Sequence, residues 1–319
     1  MKRLTLKYLG IIIGALYGLL LRYFIFGKLD GQFSFTDLFS ITFIWIVPVL
    51  IGVTPMLFAT NDQLRSKTYR VLIPFFTTLL FFIFCFITRV EDLLCIFIIS
   101  MPFLLGGVMG GLIFGEIILR YRDRKGILYS ILLVPVFAGM IEEQFKIPSS
   151  VYEIKNSVII NSTADKIWKN VIRVKNIGQG EYPTGFFNYA GVPRPLYAEL
   201  DKDGIGAKRV GHFEGGLVFN ETVNEWILNK RISFNIQVIP VSIRETIFDQ
   251  HILKGNHFKF LSATYQLTKI SDKKTLLTLS STYQLDTRIN FYASIWGDEL
   301  LSDFQQRLLN VIKKRCDKQ

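Results

Sequence analysis

Arg209 and Glu221 are the polar residues of this chain best placed to do chemistry together. They flank Glu214-Gly215-Gly216, and paired glycines signal a hairpin because they accept positive φ. Residues 207–213 and 217–227 are the strand candidates, rich in Val, Phe, Thr and Trp. Two registers are open. A two-residue Gly-Gly turn pairs Glu214 with Leu217. A three-residue loop pairs Phe213 with Leu217, sets Arg209 opposite Glu221 and Gly211 opposite Phe219. The second is preferred, because it places opposite charges together and an aromatic ring beside a glycine. If that face points inward, the pair would orient a ligand's polar group or exchange protons inside an apolar cavity. If it points outward, the pair is a cross-strand ion bridge in water. His212 alternates to the opposite face, towards the surface or a loop.

Other chemistries find little support. His212, His251 and His257 are the three histidines, and none lies in an HxxxH or HExxH pattern. Gly204-Ile205-Gly206 reads as a turn, and no glycine-rich phosphate loop or Gly-x-Ser-x-Gly elbow occurs. Cys85, Cys95 and Cys316 have no zinc or disulfide spacing. No metal or cofactor is expected. The net charge of +11 is shared almost evenly by the two halves. No basic stripe is interleaved with stacking aromatics, so nucleic acid is not an expected partner. Attraction to anionic lipid or an ordinary basic surface fits better.

The apolar candidates for a ligand wall are Phe213, Phe219, Phe234, Ile236 and Trp296, with Arg209 and Glu221 as the polar ones. Trp226 and Trp296 also fit core packing. Phe186, Phe187 and Tyr189 fit a cavity lid, a membrane-touching patch or packing within their own loop.

Two kinds of element must carry these residues. Apolar runs at 4–26, 38–59, 71–88 and 93–119 can each cross a hydrocarbon layer of ~30 Å. A fifth, 127–141, is marginal and is either a short span or a re-entrant piece. Basic residues cluster before the first run, at Arg65, Lys67 and Arg70, and at Arg120, Arg122, Arg124 and Lys125. Lys28 stands against Asp30 and Asp37, and Arg89 against Glu91 and Asp92. This alternation puts the N-terminus in the cytoplasm. If the fifth run crosses, the C-terminal half is extracytoplasmic, and the acidic Glu142 and Glu143 after it favour that. Gly10, Gly14 and Gly18 in the first run, and Gly107, Gly111 and Gly115 in the fourth, repeat every four residues. Such spacing lets helices approach closely, and the first and fourth helices are expected to pack through it. Arg22 is expected to pair with Glu91 or Glu142, and Glu116 to lie near Arg120 and Arg122.

After Pro148-Ser149-Ser150 the pattern changes. A strand at 152–160 leads to a helix at 164–174, with Asn161, Ser162 and Thr163 as cap candidates. Residues 178–195 form a long loop rich in Gly, Pro and aromatics, with room for a helical turn. Strands follow at 196–200, 207–213, 217–227, 231–239, 258–270 and 275–285. Ile232, Phe234, Ile236 and Val238 alternate and should point inward. A final helix covers 292–314. The chain thus divides at 1–147 and 151–317: an N-terminal multi-span α-helical membrane bundle, then an α+β domain with a curved antiparallel sheet and a long C-terminal helix.

The second domain resembles the SRPBCC/START-like superfamily (polyketide cyclase/dehydrase and lipid transport), whose fold is the helix-grip. The residues that carry the resemblance are VIINSTADKIWKNV (158–171), GIGAKRVGHFEGGLVFNETVNEW (204–226) and TLLTLSSTYQLD with DELLSDFQQRLLNVIKKR. GALYGLLLR (14–22) and EDLLCIFIISMP (91–102) are similar to a membrane-anchored bacterial subgroup. The resemblance implies a cavity for a lipid or other hydrophobic small molecule, in a protein of the bacterial inner membrane. Cyclase/dehydrase catalysis and membrane-coupled sensing are the alternatives. It carries over no universal catalytic motif.

Overall fold

The computed structural model describes residues 2–25, 39–121, 129–246, 249–255 and 257–317. Lys28, Asp30, Asp37, Arg122, Arg124 and Lys125, and the first two residues of the fifth apolar run, lie outside the described residues. The chain forms two compact units, Met1–Ile147 with Thr287–Ile289, and Pro148–Asp286 with Asn290–Gln319.

The first unit is helical. Its helices are α1 (Lys2–Leu20), α2 (Val47–Leu57), α3 (Asn61–Arg65), α4 (Lys67–Ile87), α5 (Leu93–Arg120) and α6 (Val134–Glu143). Wider π turns extend α1 through Leu21–Ile25 and lead into α2 at Thr42–Ile46. Local chemistry sets the boundaries. Thr60 and Gln63 form a reciprocal capping box at the start of α3, and the Ser66 hydroxyl accepts from Tyr69 N to start α4. Among the described residues, α4 and α5 are the two helices long and apolar enough to cross a membrane; 9–23 and 42–57 are shorter apolar helical stretches.

The glycines work differently from the sequence expectation. Gly10, Gly14 and Gly18 face Pro55 and Ile51 of α2 and Thr77 and Phe81 of α4. Gly107, Gly111 and Gly115 face Gly52, Thr78, Pro74 and Arg70, again on α2 and α4. The two glycine rows therefore do not pack on each other; both fit against the α2/α4 pair. A Cβ at Gly52 would stand 1.9 Å from Gly107 O, and one at Gly110 2.1 Å from Val49 O. Four-residue spacing indicates a close-approach face but does not name the helix that meets it.

Charge is paired inside this unit. Arg22 and Glu91, both buried, form an ion pair, and the Arg22 guanidinium also lies over Phe43. Glu142 instead accepts from Ile41 N at 2.7 Å and Thr42 N at 2.9 Å, so it caps the start of the helix leading into α2. Glu116 joins Arg70 and Arg120. Ile131, ahead of α6, packs with Met56, Leu64 and Ile118; Glu142, at its end, meets the beginning of the second helical segment.

The second unit is a seven-stranded antiparallel sheet curled around a long helix. Its elements are β1 (Ser149–Ile160), α7 (Ala164–Ile172), α8 (Phe186–Tyr189), β2 (Pro195–Leu200), β3 (Lys208–Phe213), β4 (Val218–Ile227), β5 (Arg231–Val238), β6 (Phe258–Ser271), β7 (Lys274–Asp286) and α9 (Asn290–Asp317). The strand order is β1-β7-β6-β5-β4-β3-β2. Irregular pairings at Val223/Glu225 and Phe260/Ser262 help to bend it. Alternation is clean along β7, where Leu277, Leu279, Tyr283 and Leu285 are all buried. The core joins Ile167, Trp168, Val171 and Ile172 of α7 and Leu308, Leu309 and Ile312 of α9 to the sheet's Phe234, Tyr265 and Leu277. Each such side chain contributes roughly 1.5–3 kcal/mol by leaving water. This is the arrangement of a helix-grip fold.

Candidate functional site

The β3–β4 hairpin adopts the three-residue register. Phe213 N donates to Leu217 O, and Arg209 stands opposite Glu221 and Gly211 opposite Phe219. Gly215 and Gly216, at φ 71° and 80°, supply the left-handed turn. The shared face points inward: Arg209 is 5% and Glu221 8% exposed.

Their partners say what the pair does. Arg209 Nη1 donates to Glu221 Oε2. Its Nε donates to Ile172 O at 3.2 Å and its Nη2 to Val171 O at 3.4 Å. Those are carbonyls of the last turn of α7, where intrahelical donors run out and a positive charge is favourable. The guanidinium also lies 5.0 Å from the centre of the Phe234 ring. Arg209 is thus a buried helix cap with Glu221 as its counter-charge, and it fastens α7 to the sheet. Tyr265, on β6, is buried beside this pair, and burial pushes its hydroxyl pKa up to about 12.

A row of rings runs across the same inner face. Phe304 of α9 is 6.1 Å from Phe213, which is 4.7 Å from Phe219. Phe219 is 5.0 Å from Phe260, Phe260 4.8 Å from Phe258, and Phe258 5.1 Å from Tyr283. Tyr152 of β1 closes the row, stacked on Tyr283 at 5.5 Å. Phe213, Phe258, Phe260 and Phe304 are only partly buried, unlike the core around Leu277. Tyr283 gives the row a polar handle: its hydroxyl donates to Asp298 Oδ1 at 2.6 Å. Burial, then the Asp298 carboxylate, hold that phenol well above its usual range.

A polar seam lies between β1, β7 and α9. Gln305, fully buried, is 2.9 Å from Asn156 Nδ2 and 2.8 Å from Ser281 Oγ. It fixes the rotation of α9 over the sheet, because a shifted helix would leave a buried amide unsatisfied.

The structure brings Arg209, Glu221 and Phe234 together at one end of the inner face and Phe213 and Phe219 into the aromatic row. Ile236 stands opposite Glu221 on β5 and is half-buried. Trp296 is half-buried on α9, within hydrogen-bonding reach of Tyr292. His212 is half-buried and stacked on Tyr197 at 4.3 Å. Trp226 packs edge-on against Trp168 at 5.1 Å, as core. Phe186 and Tyr189 of α8 are exposed, on a loop tied down by Arg307 to Pro183 O and Arg315 to Glu181. Sequence reading missed Phe258, Phe260, Tyr283, Tyr152 and Phe304. Alternate-residue spacing carried a signal for Phe258/Phe260 and for Tyr283/Leu285. Among the described residues no three His, Cys, Asp or Glu side chains are grouped to hold a metal ion.

A sheet gripping its terminal helix defines the fold class as helix-grip. Solved structures similar to the chain include a START-superfamily protein from Mycobacterium smegmatis, at 11% identity and TM-score 0.36, covering 52% of this chain and 97% of that one. Truncated norcoclaurine synthase from Thalictrum flavum matches at 11% identity and TM-score 0.31, covering 53% and 97%. A Bacillus cereus protein matches at 11% and 0.32, covering 51% and 94%. No protein-family model and no curated protein matches the chain.

Proposed function

We propose that this protein is a membrane-anchored binder of a lipid or other hydrophobic small molecule, held against the aromatic row under α9. The observation that carries this reading is the row itself. Rings from β1, β3, β4, β6, β7 and α9 face one another under the inner face of the sheet, and five remain partly exposed. An apolar wall with a polar handle at Tyr283–Asp298 suits a largely apolar ligand with one hydrogen-bonding group. Phe213 and Phe219 belong to that wall. Phe234 and Ile236 extend it towards Arg209 and Glu221, which set its far end, and Trp296 stands on the gripping helix.

The first unit is the anchor, with five crossings read from the apolar runs at about 4–26, 38–59, 71–88, 93–119 and 127–141. The path of the fifth run, from the Met56–Ile118 cluster to the start of the second helix, supports a crossing. With the N-terminus cytoplasmic, an odd number of crossings puts the second unit outside the bacterial inner membrane.

A dansyl-labelled fatty acid added to the full-length protein in uncharged detergent tests the binding reading. Saturable one-to-one fluorescence enhancement is expected, and Phe260→Ala and Phe219→Ala should weaken it by about tenfold each, about 1.4 kcal/mol. Non-saturable partitioning, equal in wild type and both variants, would sink it.

A further inference from the structure

Arg70 of α4 presents an unused edge. It is 7% exposed. Its Nη1 donates to Glu116 Oε2 at 2.8 Å and to Leu112 O at 3.3 Å. Its Nε is buried with no hydrogen-bond partner, and its Nη2 makes no hydrogen bond among the described residues. The Nε–H and Nη2–H point the same way. Together they form the side-on fork of a guanidinium, which matches two oxygens of one phosphate.

Glu116 does not fill that fork. Its Oε2 is held by Arg70 Nη1, and its Oε1 accepts from Arg120 Nε at 3.1 Å. One carboxylate is shared by two guanidiniums, which leaves a positive charge over. Arg70 is also pinned in place. A Cβ at Gly115 would stand 2.5 Å from Arg70 Cδ, and one at Gly111 2.3 Å from Arg70 O, so the two glycines form the groove in which it lies. Lys67 lies one turn earlier on α4, and both it and Arg120 are exposed, so their charges can turn towards the same group.

We propose that the Nε–Nη2 edge of Arg70, with Arg120 and Lys67, receives the phosphate of an anionic lipid headgroup at the α3 end of the helical unit. The inference rests on the reading of this unit as membrane-embedded. It is independent of the ligand of the helix-grip unit. Lipid phosphate and free phosphate share the chemistry that the fork recognises; an anionic lipid adds a second tether through its chains.

The test uses the full-length protein in nanodiscs of phosphatidylcholine, with and without phosphatidylglycerol. Lipids retained on the released protein are counted by native mass spectrometry. Wild type should retain phosphatidylglycerol in preference to phosphatidylcholine. Arg70→Lys keeps the charge but loses the fork, and should cut that preference about tenfold. Glu116→Gln removes the competing carboxylate and should raise it. Equal retention in wild type and Arg70→Lys would overturn the proposal. So would a wild-type protein that resists carbonate extraction yet shows no preference. Displacement of phosphatidylglycerol by inorganic phosphate would assign the edge to the free anion and overturn the lipid assignment. Release of the chain from membranes by carbonate would instead sink the membrane reading beneath it, a distinguishable result.

Discussion

The guanidinium of Arg209 faces two helix-terminal carbonyls and one carboxylate, which sets it apart from a side chain waiting for a ligand. Removing one member of such a buried pair leaves the other charge uncompensated, at a cost of about 3–5 kcal/mol. Glu221→Gln is therefore expected to destabilise the second unit by about 3 kcal/mol. Joint replacement by Arg209→Met and Glu221→Leu should cost less than Glu221→Gln alone. Urea unfolding followed by tryptophan fluorescence measures both, since Trp168 and Trp226 sit in that core. A larger loss in the double variant would contradict the role given to the pair. Tyr265 supplies a pH test. An unfolded tyrosine ionises near pH 10, but buried Tyr265 holds its proton to about 12. Its raised pKa contributes stability that is whole below pH 10 and is lost as pH rises towards 12. Unfolding free energy should fall across that window, and Tyr265→Phe should flatten the fall. An unchanged slope would show that Tyr265 is not the group responsible.

The helix α9 is the element on which the site depends. Gly297 lets it approach β7: a Cβ there would meet the Tyr283 hydroxyl at 2.8 Å and its ring at 3.0 Å. Alanine in a helix interior normally gains about 1 kcal/mol over glycine. Here overpacking of about 1–3 kcal/mol should win. Gly297→Ala is thus expected to lower the Tm and weaken ligand binding by disturbing Tyr283–Asp298. A raised Tm would contradict the packing described. Much of this element structure was legible beforehand. Alternation of Ile232, Phe234 and Ile236 placed β5, and Gly215-Gly216 with the charges of Arg209 and Glu221 favoured the observed hairpin register. The capping role of Arg209 was not legible, because the carbonyls of Val171 and Ile172 reach it only through the fold. The aromatic row was half legible. Phe213 and Phe219 neighbour each other across a hairpin, whereas Phe258, Tyr283 and Phe304 meet them only through strand order and the return of α9. The helix met by each glycine row in the first unit was hidden for the same reason.

At the scale of the whole molecule, the chain carries an apolar helical unit and a helix-grip unit. Protease added to intact spheroplasts should cleave the second unit, and a reporter enzyme active only in the cytoplasm should stay silent when fused after Gln319. Protection with an active reporter would reverse the orientation while leaving the binding reading standing. The central claim is that an apolar molecule lies against the ring row under α9. It is tested most directly by placing the photo-crosslinking residue p-benzoyl-phenylalanine at Phe260 of the full-length protein in its own membranes. A control carries it at exposed Ile270, further along the same strand. Irradiation and intact-mass analysis should reveal a discrete small-molecule adduct at position 260 and none of that mass at position 270. No adduct at 260, or the same adducts at both positions, would contradict the account.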